Sequence, residues 1–246
     1  MLSSLITLKV LSYHHVHELS HKDSVFLLNF FRERIKITNM KQDLDIAFLD
    51  VDTQYDFMDP RGNLYVPDSE KIVGNIEKLL AFARKNGLPI FGSVDAHNPD
   101  DPEMETVGGP FPLHCIKGDK GQEKISASAP LNPLWVENRK YTADELESIF
   151  SHQGEIYFEK QSFNLFDNPN ARIVLDRFKL FVVFGVATDY CVKAAVLGLL
   201  EMGKTVYVVE DAIKPVASES GEEAIKEMKK KGAKFIKADE VHSILR

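Results

Sequence analysis

A chain of 246 residues that is 44% apolar can bury one substantial core, and its formal net charge of −7, with no long basic tract, argues against nucleic acid as a ligand. Two cysteines and no recognisable export segment point to a reducing, cytoplasmic setting, with the thiols kept for chemistry or packing and not for a disulfide. The apolar stretch near the start is interrupted by Lys9 and followed by histidines, too short to span a bilayer and without a cleavage signal, so no membrane partner is expected.

Residues 1–42 read as a separate N-terminal extension ahead of a domain over 43–246. His14, His15, His17 and His21 suggest a metal tract, but nothing fixes their geometry, and an irregular surface segment or an amphipathic helix fits better. Met40 stands just before the first α/β unit, so the residues upstream of it could equally come from a start codon placed too early.

From there strands and helices alternate. DIAFLDVD is a short strand, SEKIVGNIEKLLAFARKNG a helix with a glycine stop, and LPIFGSVDAH a second strand. The rhythm breaks between about 98 and 154, where GGPFPLHCIKGDKG is mostly loop and ADELESIFSHQG a short helix; such an excursion is expected to form a pocket wall. EIYFEK, KLFVVFGVA, KTVYVVEDA and AKFIKA are further strands, separated by helices over NPNARIVLDRF, YCVKAAVLGLLEMG and SESGEEAIKEMKKKG. The lysines of KEMKKKGAK then mark the solvated end of the last helix. Repeated strand–helix–strand units predict a three-layer α/β fold, an open and mostly parallel sheet of about six strands with helices on both faces.

In such a sheet ligands bind at the carboxyl ends of the strands, where Asp52, Asp95, Lys160 and Cys191 all fall. Cys191 is expected in the first turn of a helix, where N–H groups and the helix dipole favour the thiolate; a free cysteine in an apolar protein is also often a small buried hydrophobe. Asp52 is either a turn carboxylate or the group that takes the Cys191 proton and returns it to a leaving amine. Asp50 is expected to point the opposite way, and Asp56 to support the loop. Lys160 is either an exposed amine or, if it reaches Asp52 and Cys191, a charge that lowers the cost of a thiolate and holds the carboxylate. No histidine falls at a strand end near Cys191, so a Cys/Asp/Lys set fits better than a Cys/His pair. Asp95 and His97 alternate on an extended segment and His114 could join them from the proline-rich loop, forming a carboxylate and two imidazoles suited to a metal ion, with Glu103 or Glu105 in a remaining position. Cys115 reads as a packed loop thiol.

From about residue 45 onward, LDVDTQYDF, DAH, GGPFPLHC, FEKQSF and GVATDYCV, in this order, resemble the nicotinamidase branch of the isochorismatase-like cysteine hydrolases. The resemblance implies a cysteine amidase that converts nicotinamide to nicotinate and ammonia and so serves salvage of the nicotinamide cofactor. It implies a triad of Asp52, Lys160 and Cys191, one divalent ion (zinc, iron or manganese, zinc foremost) on Asp95, His97, His114 and Glu103, and a ring clamp of Phe57 and Phe111. It further implies a cis peptide between Val186 and Ala187, with the N–H groups of Ala187 and Cys191 as oxyanion hole, and makes a homo-oligomer ordinary. Gln161 in place of the usual glycine, Phe111 in place of the commoner tryptophan, and a long 116–154 segment depart from the pattern and bear on the pocket. Another small amide or carbamoyl compound is therefore the alternative substrate, and a non-catalytic binding or scaffold protein on the same fold the alternative of another class. The metal cluster disfavours an isochorismate-like vinyl ether.

Overall fold

The computed structural model describes residues 45–245. The expected N-terminal extension, with its histidines and Met40, lies outside them. The described chain runs β1 (Ile46–Val51), α1 (Tyr55–Met58), α2 (Val73–Asn86), β2 (Ile90–Asp95), β3 (Leu134–Val136), α3 (Ala143–Ser151), β4 (Ile156–Lys160), α4 (Ala171–Leu175), β5 (Leu180–Val186), α5 (Lys193–Glu201), β6 (Thr205–Lys214), α6 (Ser218–Lys230) and β7 (Lys234–Ile236). No helix among the described residues is long and apolar enough to cross a membrane.

The strands form one sheet in the order β3-β4-β2-β1-β5-β6-β7, with every pairing parallel. The sheet has seven strands where about six were expected. The addition is β3, three residues on the sheet edge inside the long loop, too short to show a period of two in the sequence.

β1 is central because it is buried on both sides. Ala47, Leu49 and Val51 join the core shared with α3, α4, α5 and α6, while Phe48 faces α2, its ring 6.2 Å from that of Phe82. Each fully buried phenylalanine, such as Phe48, Phe158, Phe181 or Phe184, contributes roughly 1.5–3 kcal/mol of burial. Helix α2 ends where Gly87 takes the left-handed conformation and its N–H reaches Ala83 and Arg84 carbonyls. Helix α3 starts on a reciprocal capping box between Thr142 and Glu145.

At the top of β5, Gly185 has φ +119, and a β-carbon there would stand 2.0 Å from the Val51 carbonyl oxygen, so only glycine lets β5 lie against β1. That close approach brings the carboxyl ends of β1, β2, β4 and β5 together, in register at Val51↔Ser93, Asp95↔Lys160 and Val51↔Gly185. The chain order reverses about β1, which is where an open α/β sheet leaves a crevice.

Candidate active site

Asp52 follows β1 with φ 48, a left-handed turn that aims its carboxylate along the strand ends. Its Oδ1 accepts from Ser93 Oγ at 2.6 Å. Its Oδ2 stands 2.9 Å from Lys160 Nζ as a buried ion pair. Lys160 ends β4 fully buried, hydrogen-bonded to Asp95 Oδ1 and with Nζ 3.6 Å from Cys191 Sγ. Burial alone would discharge its ammonium, but Asp52 and Asp95 outweigh burial and hold Lys160 well above the usual lysine range.

Cys191 lies in a π-helical turn over Thr188–Val192 that precedes α5, not in the first turn of α5 as expected. Burial pushes its thiol well above the usual range; the Lys160 charge opposes this, and Asp52 and Asp95 add to it. Burial thus works against the thiolate that Lys160 favours, because the sulfur is removed from water. A neutral thiol needs a base. The structure puts Asp52 and Lys160 beside it.

The peptide between Val186 and Ala187 is cis, and Ala187 and Cys191 line one pocket. The pocket has a volume of about 100 Å³ and is also lined by Phe57 and Phe111, whose rings stand 5.7 and 6.0 Å from that of His114.

Asp95, His97, Glu103 and His114 each direct a ligand atom into one cluster, all within 4.8 Å of one another. Glu103, and not Glu105, joins the set. His97 Nε2 lies 3.0 Å from Glu103 Oε1 and 3.7 Å from Asp95 Oδ2, yet has no hydrogen-bond partner in a fully buried ring. The other nitrogen of each ring is engaged: His97 Nδ1 with Asp101 Oδ2 at 3.1 Å, His114 Nδ1 with the Pro112 carbonyl at 2.8 Å. A buried imidazole nitrogen without a partner, facing two carboxylates, fits a divalent cation, and a mixed nitrogen and oxygen set suits zinc, iron or manganese. Asp95 belongs to both groups, with Oδ1 on Lys160 and Oδ2 toward the histidines.

Several supporting residues escaped the sequence reading. Gln54 grips the backbone of Asp95 from both sides, accepting from its N–H at 2.7 Å and donating to its carbonyl at 2.8 Å. Asp56 supports the loop as expected, accepting from the Cys115 N–H at 2.7 Å and the Asn63 N–H at 3.0 Å. Asp101 is four residues from His97 in a turn rich in Asp and Pro, a spacing that could have marked it. Asp189 accepts from the N–H groups of Val216 and Ala217 and from Ser220 Oγ, tying the Cys191 turn to the start of α6. Cys115 is a buried loop thiol against the Gly121 carbonyl.

Residues 47–240 match the Isochorismatase domain family. The nicotinamidase of Escherichia coli (strain K12) is 28% identical over 192 residues, covering 69% of this chain and 83% of that protein. The pyrazinamidase of Pyrococcus horikoshii in complex with zinc superposes with a TM-score of 0.64 at 27% identity, over 78% of this chain and 99% of that one. The N-carbamoylsarcosine amidase of Thermoplasma acidophilum does so at 0.60 and 26%, over 79% and 96%. With the match spanning nearly all described residues and the strand-end groups in one cleft, this chain belongs to the isochorismatase-like hydrolase family.

Proposed function

We propose that this chain is a cysteine amidohydrolase that converts nicotinamide to nicotinate and ammonia. The observation that carries the reading is the meeting of three buried groups, Asp52, Lys160 and Cys191, with Cys191 at the wall of a pocket whose lining holds no lysine or arginine. A neutral, flat amide suits that lining.

In the first half-reaction Asp52 Oδ2 takes the Cys191 proton and the sulfur attacks the carboxamide carbon. The N–H groups of Ala187 and Cys191 face the oxygen as it becomes negative. The C–N bond breaks, Asp52 gives the proton to the departing nitrogen, and ammonia leaves a thioester on Cys191. In the second half Asp52 takes a proton from water, the hydroxide adds to the thioester carbon, and Cys191 leaves and regains the proton. Lys160 stays charged throughout, holding Asp52 in place and offsetting negative charge on sulfur. Phe57 and Phe111 hold the ring. Asp95, His97, Glu103 and His114 would hold a divalent ion, which when bound would supply Lewis-acid polarisation. Nicotinate so formed would feed pyridine nucleotide synthesis.

The test is ammonia release from nicotinamide by metal-analysed wild type beside Cys191→Ala. Release by the wild type alone supports the reading; an unchanged rate in Cys191→Ala removes the covalent step. Hydrolysis of a carbamoyl compound is the second reading, favoured by the likeness to an N-carbamoylsarcosine amidase.

A further inference from the structure

Among the described residues, seven large apolar side chains are markedly exposed, and three of them line the pocket that holds Cys191: Phe163 (54%), Val216 (46%) and Tyr190 (43%). They come from three separate segments, after β4, in the Cys191 turn and after β6. Scattered single exposures need no explanation, but convergence of three on one opening does.

The backbone N–H groups of Tyr190 and Val216 are bonded, and the residues flanking Phe163 are tied down by their side chains. The Tyr190 N–H donates to the Ala187 carbonyl at 3.1 Å and the Val216 N–H to Asp189 Oδ1 at 2.9 Å. On one side of Phe163, Gln161 donates to the Ala96 carbonyl at 2.9 Å and accepts from Asn138 at 2.7 Å. On the other, Asn164 Oδ1 accepts from the Phe166 N–H at 3.1 Å and its Nδ2 donates to Asp167 at 3.0 Å. The three side chains therefore stand exposed at the pocket on segments tied down by hydrogen bonds. Less backbone then has to be ordered when an apolar group binds there.

Charge is confined to the other end. The ionisable groups lining the pocket, besides Cys191 and Tyr190, are Asp95, Glu103 and His114, all of the metal cluster. The outer part has no cation for a phosphate or carboxylate and no anion for an ammonium.

We propose that Phe163, Tyr190 and Val216 form a selectivity collar for an uncharged, apolar substituent of the substrate. The chain then prefers alkyl- or aryl-substituted aromatic carboxamides over the bare ring or its phosphorylated ribosides. The proposal rests on the amidase reading above and names its substrate class. One methylene in an apolar pocket discriminates by roughly 10–200-fold, so a collar of three side chains is ample for a measurable preference.

The test is kcat/KM of the metal-loaded full chain for nicotinamide and for pyridine carboxamides bearing methyl, isopropyl or phenyl groups at each ring position. For the best substituted amide the ratio to nicotinamide should be about tenfold, fall about tenfold in Phe163→Ser and in Val216→Ser mainly through KM, and hold in Ile173→Ser, an exposed apolar residue away from the pocket. Calorimetric binding of the same amides to Cys191→Ala, beside Cys191→Ala/Phe163→Ser, separates the two readings. Tighter binding of substituted amides that depends on Phe163, with no ammonia released by wild type from any amide, keeps the collar and removes the hydrolysis. Nicotinamide turnover with no substituent favoured, or a preference that survives Phe163→Ser, removes the collar and keeps the hydrolysis. Neither binding nor turnover removes both. A particle that becomes smaller by light scattering in Phe163→Ser, with the ratio unmoved, reassigns the three residues to a contact between copies and overturns the proposal.

Discussion

Asp50 and Asp52 are two residues apart at the end of β1, yet each pairs with a different buried lysine on a different side of the sheet. Asp50 Oδ2 lies 2.9 Å from Lys124 Nζ and Asp52 Oδ2 2.9 Å from Lys160 Nζ. In an ideal strand residues i and i+2 share a face. The left-handed backbone at Asp52 breaks that alternation and turns its carboxylate to the side of Ser93, Lys160 and Cys191, while Asp50 stays with Thr53, Lys124 and the face covered by α2. The two aspartates therefore diverge as expected, through a turn that strand periodicity does not contain.

Lys124 comes from the long loop and is as buried as its partner, with side-chain exposures of 1% and 0%. Burial raises the Asp50 pKa and Lys124 opposes it, so removing the lysine strands an acid in the core. Lys124→Met should destabilise the protein by about 3–5 kcal/mol in urea unfolding, and adding Asp50→Asn should recover most of the loss. A single variant as stable as wild type would show that the pair does not hold the loop.

Asp52→Asn keeps the size of the side chain and removes the base. Turnover of nicotinamide should fall by roughly 10²–10⁴ in kcat, with KM changed only a few-fold, because the neutral Cys191 thiol then has no proton acceptor. Steady-state kinetics read this directly; a kcat within threefold of wild type would assign the proton to another group.

Asp101 touches no substrate and holds His97 by Nδ1, which fixes Nε2 toward the other ligands. Asp101→Asn should weaken binding of the divalent ion by about 10–100-fold in competition with a chromogenic chelator, with the unfolding midpoint of the metal-free protein little changed. Equal metal affinity in the two proteins would reduce Asp101 to a loop contact.

The metal-free cluster carries a pH signature. Burial opposes a charge on His97, but Asp95 and Glu103 outweigh it and lift its pKa to about 10. The folded value lies above an unfolded value of about 6.5, so the stabilisation is complete below pH of about 6.5 and is lost as pH rises through about 10. The thermal midpoint of metal-free protein should fall across that window. Metal must displace the proton, so uptake should release one, visible as a dependence of the calorimetric heat on buffer ionisation enthalpy, and the loaded protein should show a shallower decline.

The residues that carry chemistry were legible because they end strands. Asp95, Lys160 and Cys191 each follow an apolar run, and a parallel sheet gathers such ends whatever their spacing in the chain. Those that hold them were not. Gln54, Ser93 and Asp101 act through isolated hydrogen bonds across 41 residues or within a turn, and such contacts leave no periodicity. β3 was hidden by its length, and the protonation of Cys191 by burial that only the assembled core imposes.

The carboxylate of Asp189 ties down the chain entering α6, accepting from the N–H groups of Val216 and of the N-cap residue Ala217 and from Ser220 Oγ in the first turn. Two residues from Cys191, it makes the beginning of one helix depend on the turn before another. Fraying of α6 at Ala217 and loosening of the Cys191 turn are thus one cooperative opening, and the amide protons of both segments should exchange with solvent at a common free energy, the reactive sulfur being only as well placed as that helix start is closed.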